Sequence, residues 1–577
     1  MSTCLLSGSL VQAQTTPNAI RINQEGYYTR APKLAAITGA IKATDFYIVD
    51  AGQRDTLYKG VLSDLLSSSN SSLQTRVADF SAFRQTGKFR LAVPGMPSSY
   101  VFSIASHAHH TSSVALLKGF YYQRVSMILQ DKYAGKWHRP AGHPDTAVAI
   151  HPSAVSAKRP AGMLISSPGG WYDAGDYNKY IVNSGITMGT LLSAYEDFTT
   201  YFDTLKTNIP ESTNRIPDLL DEVLYNLRWM LTMQDPVDGG VYNKCTNAAF
   251  DGMVMPGVTK APRYVVQKGT AATLDFAAVM AQAARICKPF NKQLPGLSDS
   301  CLNAAKRAWQ WAVQYPAIVY DQDKINKEFT PVISTGGYGD RSFTDEWCWA
   351  AAELWVSTSD TSYYGVVSKE LGAALSIPSW ANVRMLGYYT LLRSGKNWPA
   401  NRAVIMAALK ERLLQFADGY ITPVNGNAFR TVMGRYRQDF VWGSSSVAAN
   451  QGILLINAYL LTKDKKYLDY ALSNLDYLLG RNATGYSFVT GIGTYPVMHP
   501  HHRPSVADGI TDPVPGLLSG GPNPGRQDRC KYEYTEPETA FTDQDCSYAS
   551  NEIAINWNAP AVYLAAAMEA LSKKAGY

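Results

Sequence analysis

Two acidic motifs that lie far apart in this sequence have the residue types of a catalytic pair. The first, at residues 171–177, places Asp173 and Asp176 on either side of an Ala-Gly dipeptide. The second, at residues 548–559, places Glu552 among aromatic and apolar residues. Hydrolysis of a glycosidic bond needs one carboxylate as base or nucleophile and one carboxylic acid as proton donor. The two motifs supply both groups if the fold brings them together.

The two aspartates admit two interpretations. A tight turn at Gly175, which adopts backbone conformations that other residues resist, would let both carboxylates converge on one water molecule. One aspartate would then accept the proton of that water, while the other orients it and tunes the pKa of its neighbour. The same spacing also suits an Asx turn or a helix N-cap before the helical pattern that begins near residue 183.

Glu552 likewise has a catalytic and a structural interpretation. Tyr548, Trp557 and two isoleucines surround it in the sequence. A carboxylic acid in such an aromatic, partly dry site has a raised pKa and can donate a proton near neutral pH. In the structural interpretation, the glutamate lies in the first turn of a helix, where the helix dipole favours a negative charge.

A third cluster, at residues 498–504, contains three histidines and an arginine. The side chains of His501 and Arg503 carry the donors and acceptors that bind sugar hydroxyls. Three histidines also raise the alternative of a metal site, but the prolines in the run and the adjacent arginine cation disfavour tight ligation. We therefore interpret the cluster as sugar-binding.

Composition bounds the class of protein. With 577 residues, 46% of them hydrophobic and 17% charged, the chain can bury a large core and form two domains. The net charge of +6 is small for this length and no basic run occurs, which argues against a nucleic-acid partner. No apolar run is long enough to span a bilayer. The 36 tyrosines and 12 tryptophans suit the flat faces of sugars, although aromatic residues are also common in cores.

The N-terminal segment indicates export. Residues 1–17 resemble the end of a signal peptide but lack its positively charged start. A start codon placed too late is the alternative explanation of this segment. We therefore expect a secreted or periplasmic protein. Six cysteines follow this segment, and the pairings closest in sequence are Cys287 with Cys301 and Cys530 with Cys546. Buried free thiols are the alternative.

Hydrophobic periodicity divides the rest of the chain into two parts. Residues 18–108 contain alternating apolar and polar runs between turn signals, which predicts a small β-sandwich. The polar stretch Ala105–Ser113, with three histidines, is predicted to be a solvated linker rather than a metal site. In residues 109–577 the apolar period becomes three to four residues, which predicts eleven or twelve helices. Long loops are predicted at 235–265, 483–526 and 528–547.

A faint internal repeat favours a particular arrangement of these helices. A T-x-D-x-x-Y turn between two helices occurs at residues 358–363 and again at 462–467. Repeated helical hairpins are what a closed α/α toroid requires, whereas an ordinary helical bundle has no such symmetry.

In combination, the motifs resemble those of the family 9 glycoside hydrolases, in the bacterial subgroup with an N-terminal immunoglobulin-like domain. They are the turn Asp173–Asp176, the stretch from Ser487 to Arg503 and the stretch from Phe541 to Ala559. Looser similarity runs through nearly the whole chain. The resemblance implies a mainly α fold, with an (α/α)6 barrel preceded by an immunoglobulin-like β-sandwich.

The resemblance also implies an inverting endo-β-1,4-glucanase, or cellulase. Asp176 would be the base, Asp173 would position the water, Glu552 would be the acid and Asp543 would support its surroundings. Four further side chains would contact the sugar, namely those of His501, Arg503, Tyr548 and Trp442. The expected partner is a β-glucan polysaccharide or oligosaccharide, and we expect a monomer that needs no cofactor for catalysis.

The resemblance raises two questions about metals. Relatives often bind calcium beside the helix that begins near residue 344, where Asp340, Asp345 and Glu346 offer hard oxygen ligands. A helix start capped by acidic residues is the alternative. Relatives also often carry a zinc site of two cysteines and two histidines just before the aspartate pair. Here the cysteines are missing, so we do not expect zinc; the histidines that remain nearby are His138, His143 and His151.

One substitution and two alternative functions stay open at this stage. Tyr495 stands where the family usually has Asn, Lys or Arg, which affects either a loop conformation or a sugar contact. An exo-acting glucosidase, cellobiohydrolase or glucosaminidase would use the same scaffold with a cleft blocked by long loops. A carbohydrate-binding protein without catalysis is a third hypothesis, which the presence of all three acidic residues disfavours.

Overall fold

The computed structural model describes residues 17–395 and 400–577. The signal-peptide prediction therefore lies outside the described residues, apart from residue 17. A β domain is followed by a mainly helical domain, as the sequence predicts. Within the described ranges, no helix is both long enough and apolar enough to cross a membrane.

The N-terminal domain is a sandwich of two sheets. Its strands are β1 (Ile20–Arg21), β2 (Gly26–Tyr28), β3 (Leu34–Thr38), β4 (Asp45–Asp50), β5 (Thr56–Val61), β6 (Leu66–Ser67), β7 (Gln74–Asp79), β8 (Gly87–Ala92) and β9 (Phe102–Ala105). One sheet has the order β1-β3-β7-β6 and the other has the order β2-β9-β8-β4-β5. Because side chains alternate between the two faces of a strand, Phe46, Ile48, Phe89 and Leu91 form the buried core between the sheets.

The junction between the domains differs from the prediction of a solvated linker. A helix begins at His110, and His109 is fully buried with its Nδ1 atom 3.3 Å from the carboxylate of Glu25. The backbone N–H of His109 also donates to Glu569. Polar residues predict a loop only when nothing packs against them, and here the two domains close over this segment.

The helical domain contains long helices and several short ones. They are α1 (His110–Tyr122), α2 (Asp131–Ala134), α3 (Ile181–Phe202), α4 (Asp218–Thr232), α5 (Thr270–Cys287), α6 (Leu297–Gln314), α7 (Gln322–Glu328), α8 (Thr344–Thr358), α9 (Tyr364–Glu370), α10 (Arg384–Ser394), α11 (Ala400–Ile421), α12 (Ser444–Thr462), α13 (Lys465–Leu478), α14 (Arg503–Ala507), α15 (Tyr548–Asn551) and α16 (Ile555–Ala575).

Six of these helices form an inner ring and six form an outer ring, which is an (α/α)6 barrel. The inner helices pack side by side in the order α12, α16, α3, α5, α8 and α10. The outer helix α11 packs against both α10 and α12, the two ends of this series. Inner α5 is buried on nearly every face, whereas outer α6 buries one stripe of small residues and Trp311. This difference explains why helical periodicity is clear in the outer helices and weak in the inner ones.

The two copies of the internal repeat have equivalent hydrogen bonds and backbone conformations. Ser359 and Lys463, which end α8 and α12, both adopt the left-handed conformation, with φ of 61° and 63°. In each copy the threonine before them accepts from the backbone N–H of the turn aspartate, which in turn accepts from a backbone N–H two residues later. Both turns therefore join an inner helix to an outer helix in the same way.

A third sheet covers one end of the barrel and interrupts one predicted loop. Its strands are β10 (Val148–Ile150), β11 (Leu164–Ile165), β12 (Lys179–Tyr180), β13 (Lys244–Asn247) and β14 (Arg263–Val265). Two of them lie within residues 235–265, where the sequence predicts only a loop. A buried ion-pair cluster fixes this sheet, since the carboxylate of Asp145 lies 2.7 Å from Lys179 and 3.0 Å from Arg263. β12 directly follows the aspartate pair, so the sheet anchors it.

Tyr495 lies at the seam between the two domains. Its ring stacks on Tyr486 at a centroid distance of 4.3 Å and faces Tyr100 of the β domain at 6.3 Å. Its backbone N–H donates to Gln24. The substitution noted in the sequence therefore affects how a loop packs on the β domain.

One of the two cysteine pairings is correct. Cys530 and Cys546 form a disulfide, whereas Cys287 and Cys301 are buried free thiols on the neighbouring helices α5 and α6. Proximity in sequence is therefore not sufficient to predict a pairing, since both pairs lie on either side of a turn and only one is bonded.

Candidate active site

The two acidic motifs and the histidine cluster meet at one end of the barrel. Ala174 and Ala554 form an antiparallel bridge, and the N–H of Ile555 donates to the carbonyl of Asp173 at 2.9 Å. A parallel bridge joins His501 to Glu552. Three segments that are remote in sequence are thus connected by backbone hydrogen bonds.

Gly175 is required for close packing rather than for an unusual backbone conformation. It lies outside the left-handed region of φ, contrary to the expectation from the sequence. A Cβ atom at this position would instead lie 2.1 Å from the carbonyl oxygen of His501. Any side chain here would push the histidine cluster away from the turn Asp173–Asp176, which we call the aspartate turn.

Asp173 is buried and accepts two side-chain hydrogen bonds. Asn183 donates to Oδ1 and the hydroxyl of Tyr338 donates to Oδ2, each at 2.7 Å. Burial, together with the nearby charge of Asp176, raises the pKa of Asp173 to about 8. Both oxygens are held in place, which suits a group that orients a water molecule.

Asp176 is also buried and is held by residues that follow it. Its Oδ2 atom accepts from the side-chain amide of Asn178 at 2.5 Å and from the hydroxyl of Tyr180 at 3.3 Å. Asn178 is itself fixed because its Oδ1 atom accepts from Thr246 and from the N–H of Asn247 on β13. These bonds leave Oδ1 of Asp176 as the oxygen available to a reactant.

Glu552 follows the short helix α15 and keeps part of its surface exposed. Burial of its carboxyl raises its pKa well above the usual value, the charges of Asp176 and Asp173 raise it further, and Arg503 opposes them. The side chain therefore keeps its proton to higher pH than an ordinary glutamic acid does. A protonated carboxyl beside two further carboxyls is the arrangement that acid–base hydrolysis requires.

Asp543 ties the histidine cluster to the segment that carries Glu552. Its two oxygens accept from the N–H groups of Met498 and His499 at 2.9 and 2.8 Å, and from the side chain of Asn551 at 3.1 Å. Asp543 thus acts through its neighbours and is a positioning residue.

His501 and Arg503 have different roles in this geometry. The Nδ1 atom of His501 lies 2.6 Å from the carbonyl of Asp545, which can only accept, so Nε2 is the free acceptor. Burial lowers the pKa of His501, which favours the neutral ring. Arg503 is buried and donates to the carbonyls of Gly175 and Asp251 at 2.7 and 2.9 Å, so it fixes the aspartate turn.

Two aromatic side chains form an exposed surface beside these groups. The rings of Trp442 and Tyr548 lie 5.5 Å apart at an angle of 36°, and the indole is 43% exposed. The hydroxyl of Tyr548 donates to the carbonyl of Gln527, which fixes the ring. A sugar can pack its C–H face on such rings.

The family model for glycosyl hydrolase family 9 matches residues 112–565, and the model for the cellulase N-terminal ig-like domain matches residues 15–98. The chain belongs to glycosyl hydrolase family 9.

Individual family members resemble the chain over nearly its whole length. The xyloglucan-specific endo-β-1,4-glucanase of Bacteroides ovatus is 46% identical over 98% of this chain and 97% of its own length. The solved structure of a family 9 enzyme of Bacteroides ovatus has a TM-score of 0.92 at 45% identity, and the match covers 96% of this chain and 99% of that one. A zinc-binding triple mutant of the family 9 endoglucanase J30 has a TM-score of 0.86 at 30% identity, covering 93% and 99%. These matches confirm the predicted fold.

The sequence did not point to Tyr338, which the family 9 fold brings to Asp173. It lies in a loop before α8 with φ of 47°, a conformation that non-glycine residues seldom adopt. Its ring packs edge-on against Tyr180 and Trp380 at 4.9 and 5.3 Å. The feature that identifies Tyr338 is a strained backbone beside a buried carboxylate, which the tertiary structure shows and the sequence does not.

We expect Tyr338→Phe to lower kcat about tenfold to a hundredfold, because Asp173 would lose one of its two side-chain hydrogen bonds and keep a buried oxygen without a partner. Initial rates on cellohexaose would measure the change. Tyr195→Phe is the matched control, since this tyrosine also donates to an aspartate, Asp203, but at the opposite end of α3. Equal activity of the two variants would contradict the role of Tyr338.

The pH profile of Asp173→Asn should shift in a defined direction. Once Asp173 has lost its own proton, at a pKa of about 8, its charge raises the pKa of Glu552, so Asn at this position lowers that pKa. Glu552 must be protonated to act as the acid, and the alkaline limb of kcat/KM reports the loss of its proton in the free enzyme. We therefore expect this limb to move to lower pH. A limb that stays in place or moves to higher pH would contradict the coupling.

The acidic residues predicted to bind calcium lie at the start of α8, together with one that the sequence did not single out. Asp275 on α5 and Glu346 each have two buried carboxylate oxygens without a hydrogen-bond partner, and Asp340 has one. Asp345 instead accepts from the N–H of Val383. Burial, and then the neighbouring acids, raise the pKa values of Asp275 and Glu346. Hard, unpaired oxygens fit a calcium ion, although no three ligand side chains among the described residues already converge.

Proposed function

We propose that this protein hydrolyses internal β-1,4-glucosidic bonds of a β-glucan with inversion of the anomeric carbon. The observation that carries the proposal is the meeting of Asp173, Asp176 and Glu552 at one end of the barrel. The Bacteroides ovatus relative, an endo-β-1,4-glucanase, supports the substrate class.

The proposed reaction is a single displacement. The carboxylate of Asp176 takes a proton from a water molecule that Asp173 orients, and the water oxygen attacks the anomeric carbon. Glu552 gives its proton to the leaving glycosidic oxygen as that bond breaks. Inversion requires about 6.5–9.5 Å between the acid and base carboxyls, which leaves room for the water.

The sugar on one side of the cleaved bond is proposed to contact four side chains. The Nε2 atom of His501 accepts from a sugar hydroxyl, and Arg503 donates to the sugar while it also keeps the aspartate turn in place. Trp442 and Tyr548 stack on the C–H faces of the sugar. Asp543 fixes the histidine cluster relative to the segment that carries Glu552. Its three hydrogen bonds to these two segments support this role.

We propose xyloglucan as the first polymer to test, because the relative with 46% identity is xyloglucan-specific. Carboxymethyl cellulose and mixed-linkage β-glucan are the comparison substrates. A preference for unbranched chains would move the assignment to a general cellulase.

Proton NMR of fresh products from cellohexaose tests the reaction and the cutting mode together. Initial α-anomer with products of several lengths supports the inverting endoglucanase. A single terminal product would move the function to an exo-enzyme. Initial β-anomer would overturn the inverting mechanism, and binding of oligosaccharide without cleavage would favour the non-catalytic hypothesis.

We also propose that the protein acts outside the cytoplasm, as a monomer. A disulfide between Cys530 and Cys546 supports this location, because such bonds persist in oxidising compartments. The proposed functional units are an immunoglobulin-like domain at residues 18–108 and a catalytic domain at 109–577.

We propose a structural calcium ion between α5 and the start of α8, held by Asp275, Asp340 and Glu346. The ion would neutralise buried carboxylates and take no part in proton transfer. We expect EGTA to lower Tm by several degrees, since a ligand at a hundredfold excess over its Kd stabilises by about 3 kcal/mol. Glu346→Gln should abolish the calcium-dependent part of Tm.

Asp299→Asn is the control for this calcium site, because it removes an acidic residue from the first turn of another helix, α6. Differential scanning calorimetry with and without calcium would measure all variants. A Tm that does not respond to EGTA would contradict the proposal.

A further inference from the structure

One buried histidine, His143, connects the aspartate turn to the loop on its other side. Its Nδ1 atom lies 2.9 Å from the hydroxyl of Tyr172, and its Nε2 atom lies 3.5 Å from the carboxylate of Asp251. The rings of Tyr172 and Tyr177 pack against the imidazole at 5.6 and 5.2 Å. These tyrosines are the residues immediately before Asp173 and after Asp176.

The contacts of His143 continue into a closed series around the aspartate turn. The backbone carbonyl of Asp251 accepts from Nε of Arg503, whose Nη1 donates to the carbonyl of Gly175. Tyr172, His143, Asp251 and Arg503 therefore surround the turn from both ends, and we call these four residues the His143 bracket. In addition, the hydroxyl of Tyr177 donates to the carbonyl of Val254 on the loop that carries Asp251.

The side chains around His143 do not fit the zinc site that the family resemblance implies at this place. Val125, Tyr172 and Tyr177 form an apolar cluster here, and neither valine nor a tyrosine phenol is a usual zinc ligand. His151 is committed elsewhere, since its two ring nitrogens contact Ser153 and the carbonyl of Pro331. Among the described residues around His143, no three His, Cys, Asp or Glu side chains are grouped as ligands of a metal ion.

We propose that His143 is a positioning residue that holds the aspartate turn through its hydrogen bond to Tyr172 and its polar contact with Asp251, at the place where zinc-binding relatives use a metal. The proposal rests on the proposed function in so far as Asp176 is the base. A carboxylate that must meet a water and a glucosidic carbon in one geometry loses rate when its turn becomes mobile. The bracket restricts that motion without metal.

His143→Ala removes both contacts, and we expect kcat on cellohexaose to fall about tenfold or more while KM changes less than about twofold. Amide hydrogen exchange across residues 172–177 should become faster in the same variant. His143→Asn keeps a polar atom near the position of Nδ1 and tolerates the observed φ of 50°, so it should recover part of the rate. Tyr172→Phe removes the hydroxyl that contacts His143, so it should lose a similar part of the wild-type kcat.

His151→Ala is the matched control, because it removes another buried histidine whose two ring nitrogens make polar contacts, in this case with residues outside the aspartate turn. We expect it to lower Tm while kcat and the exchange of residues 172–177 stay at wild-type values. If His143→Ala fails to fold, His143→Asn and Tyr172→Phe carry the same comparison.

Metal content provides an independent readout. The purified wild-type protein should contain no stoichiometric zinc, and a zinc chelator should leave both its activity and the exchange of residues 172–177 unchanged. One zinc per chain that is lost in His143→Ala would overturn the proposal, as would a His143→Ala variant with wild-type kcat and exchange. A wild-type protein that cleaves no glucan would instead contradict the proposed function, and the exchange data would still test the bracket.

Discussion

The Glu552→Gln variant is expected to lose turnover of natural glucans, with kcat on cellohexaose falling by about 10³-fold or more while the oligosaccharide still binds. Glutamine has the shape of glutamic acid but no proton that it can transfer to the leaving oxygen. The raised pKa of Glu552 is what keeps that proton in place in the wild-type protein. Initial rates and calorimetric binding would measure the two effects separately.

A substrate with a better leaving group provides a more specific test of this prediction. An aryl cellobioside with a dinitrophenolate leaving group needs little protonation, so Glu552→Gln should slow its cleavage far less than that of cellohexaose. Glu538→Gln is the matched control, since Glu538 is also buried with a raised pKa but accepts its hydrogen bond from Ser71 of the β domain. Near-normal hydrolysis of cellohexaose by Glu552→Gln would refute the assignment of the acid.

The Asp176→Asn variant should be inactive on natural and activated substrates alike. A neutral amide cannot accept the proton of the attacking water, and a better leaving group does not replace the base. We expect a loss of about 10³-fold or more in kcat on both the dinitrophenyl cellobioside and cellohexaose. The contrast between the two variants on the activated substrate therefore separates the base from the acid.

Azide provides the outcome that would contradict this mechanism. Added to Asp176→Asn, it should not produce a glycosyl azide of retained configuration, because no covalent enzyme intermediate forms in an inverting reaction. Asp469→Asn serves as the control, since Asp469 on outer helix α13 is also held by a tyrosine hydroxyl, that of Tyr577. A retained product would require a nucleophilic carboxylate instead of a base.

The family of this protein could be predicted from its sequence because short motifs carry strict requirements. Gly175 illustrates the limit of that reasoning. Its place between two aspartates predicts a special turn, but the reason for the glycine is a carbonyl from His501, hundreds of residues away. Similarly, Arg503 was predicted to contact sugar, and its two backbone acceptors show a further role, which is to fix the aspartate turn.

Other residues of the site had no sequence signal. Tyr338, Asn183 and Asp251 are ordinary residues in unremarkable stretches, and they matter only because the barrel brings them to the aspartate turn. The solvated linker is correct for His107 and His110, which are exposed, and wrong for His109, for a related reason. Polar composition predicts exposure, but the β domain closes over His109 and pairs it with Glu25.

The sequence by itself determined the two-domain order, the helical period and the identity of three acidic residues. These properties depend on local spacing, on side-chain chemistry and on motifs in a fixed order. Only the tertiary structure decided which carboxyl holds a proton, which residues fix the turn and how Asp275 joins the acidic cluster beside α8. The physical reason is that pKa values and hydrogen-bond partners depend on burial and on neighbours that are remote in sequence, and folding alone brings those neighbours together.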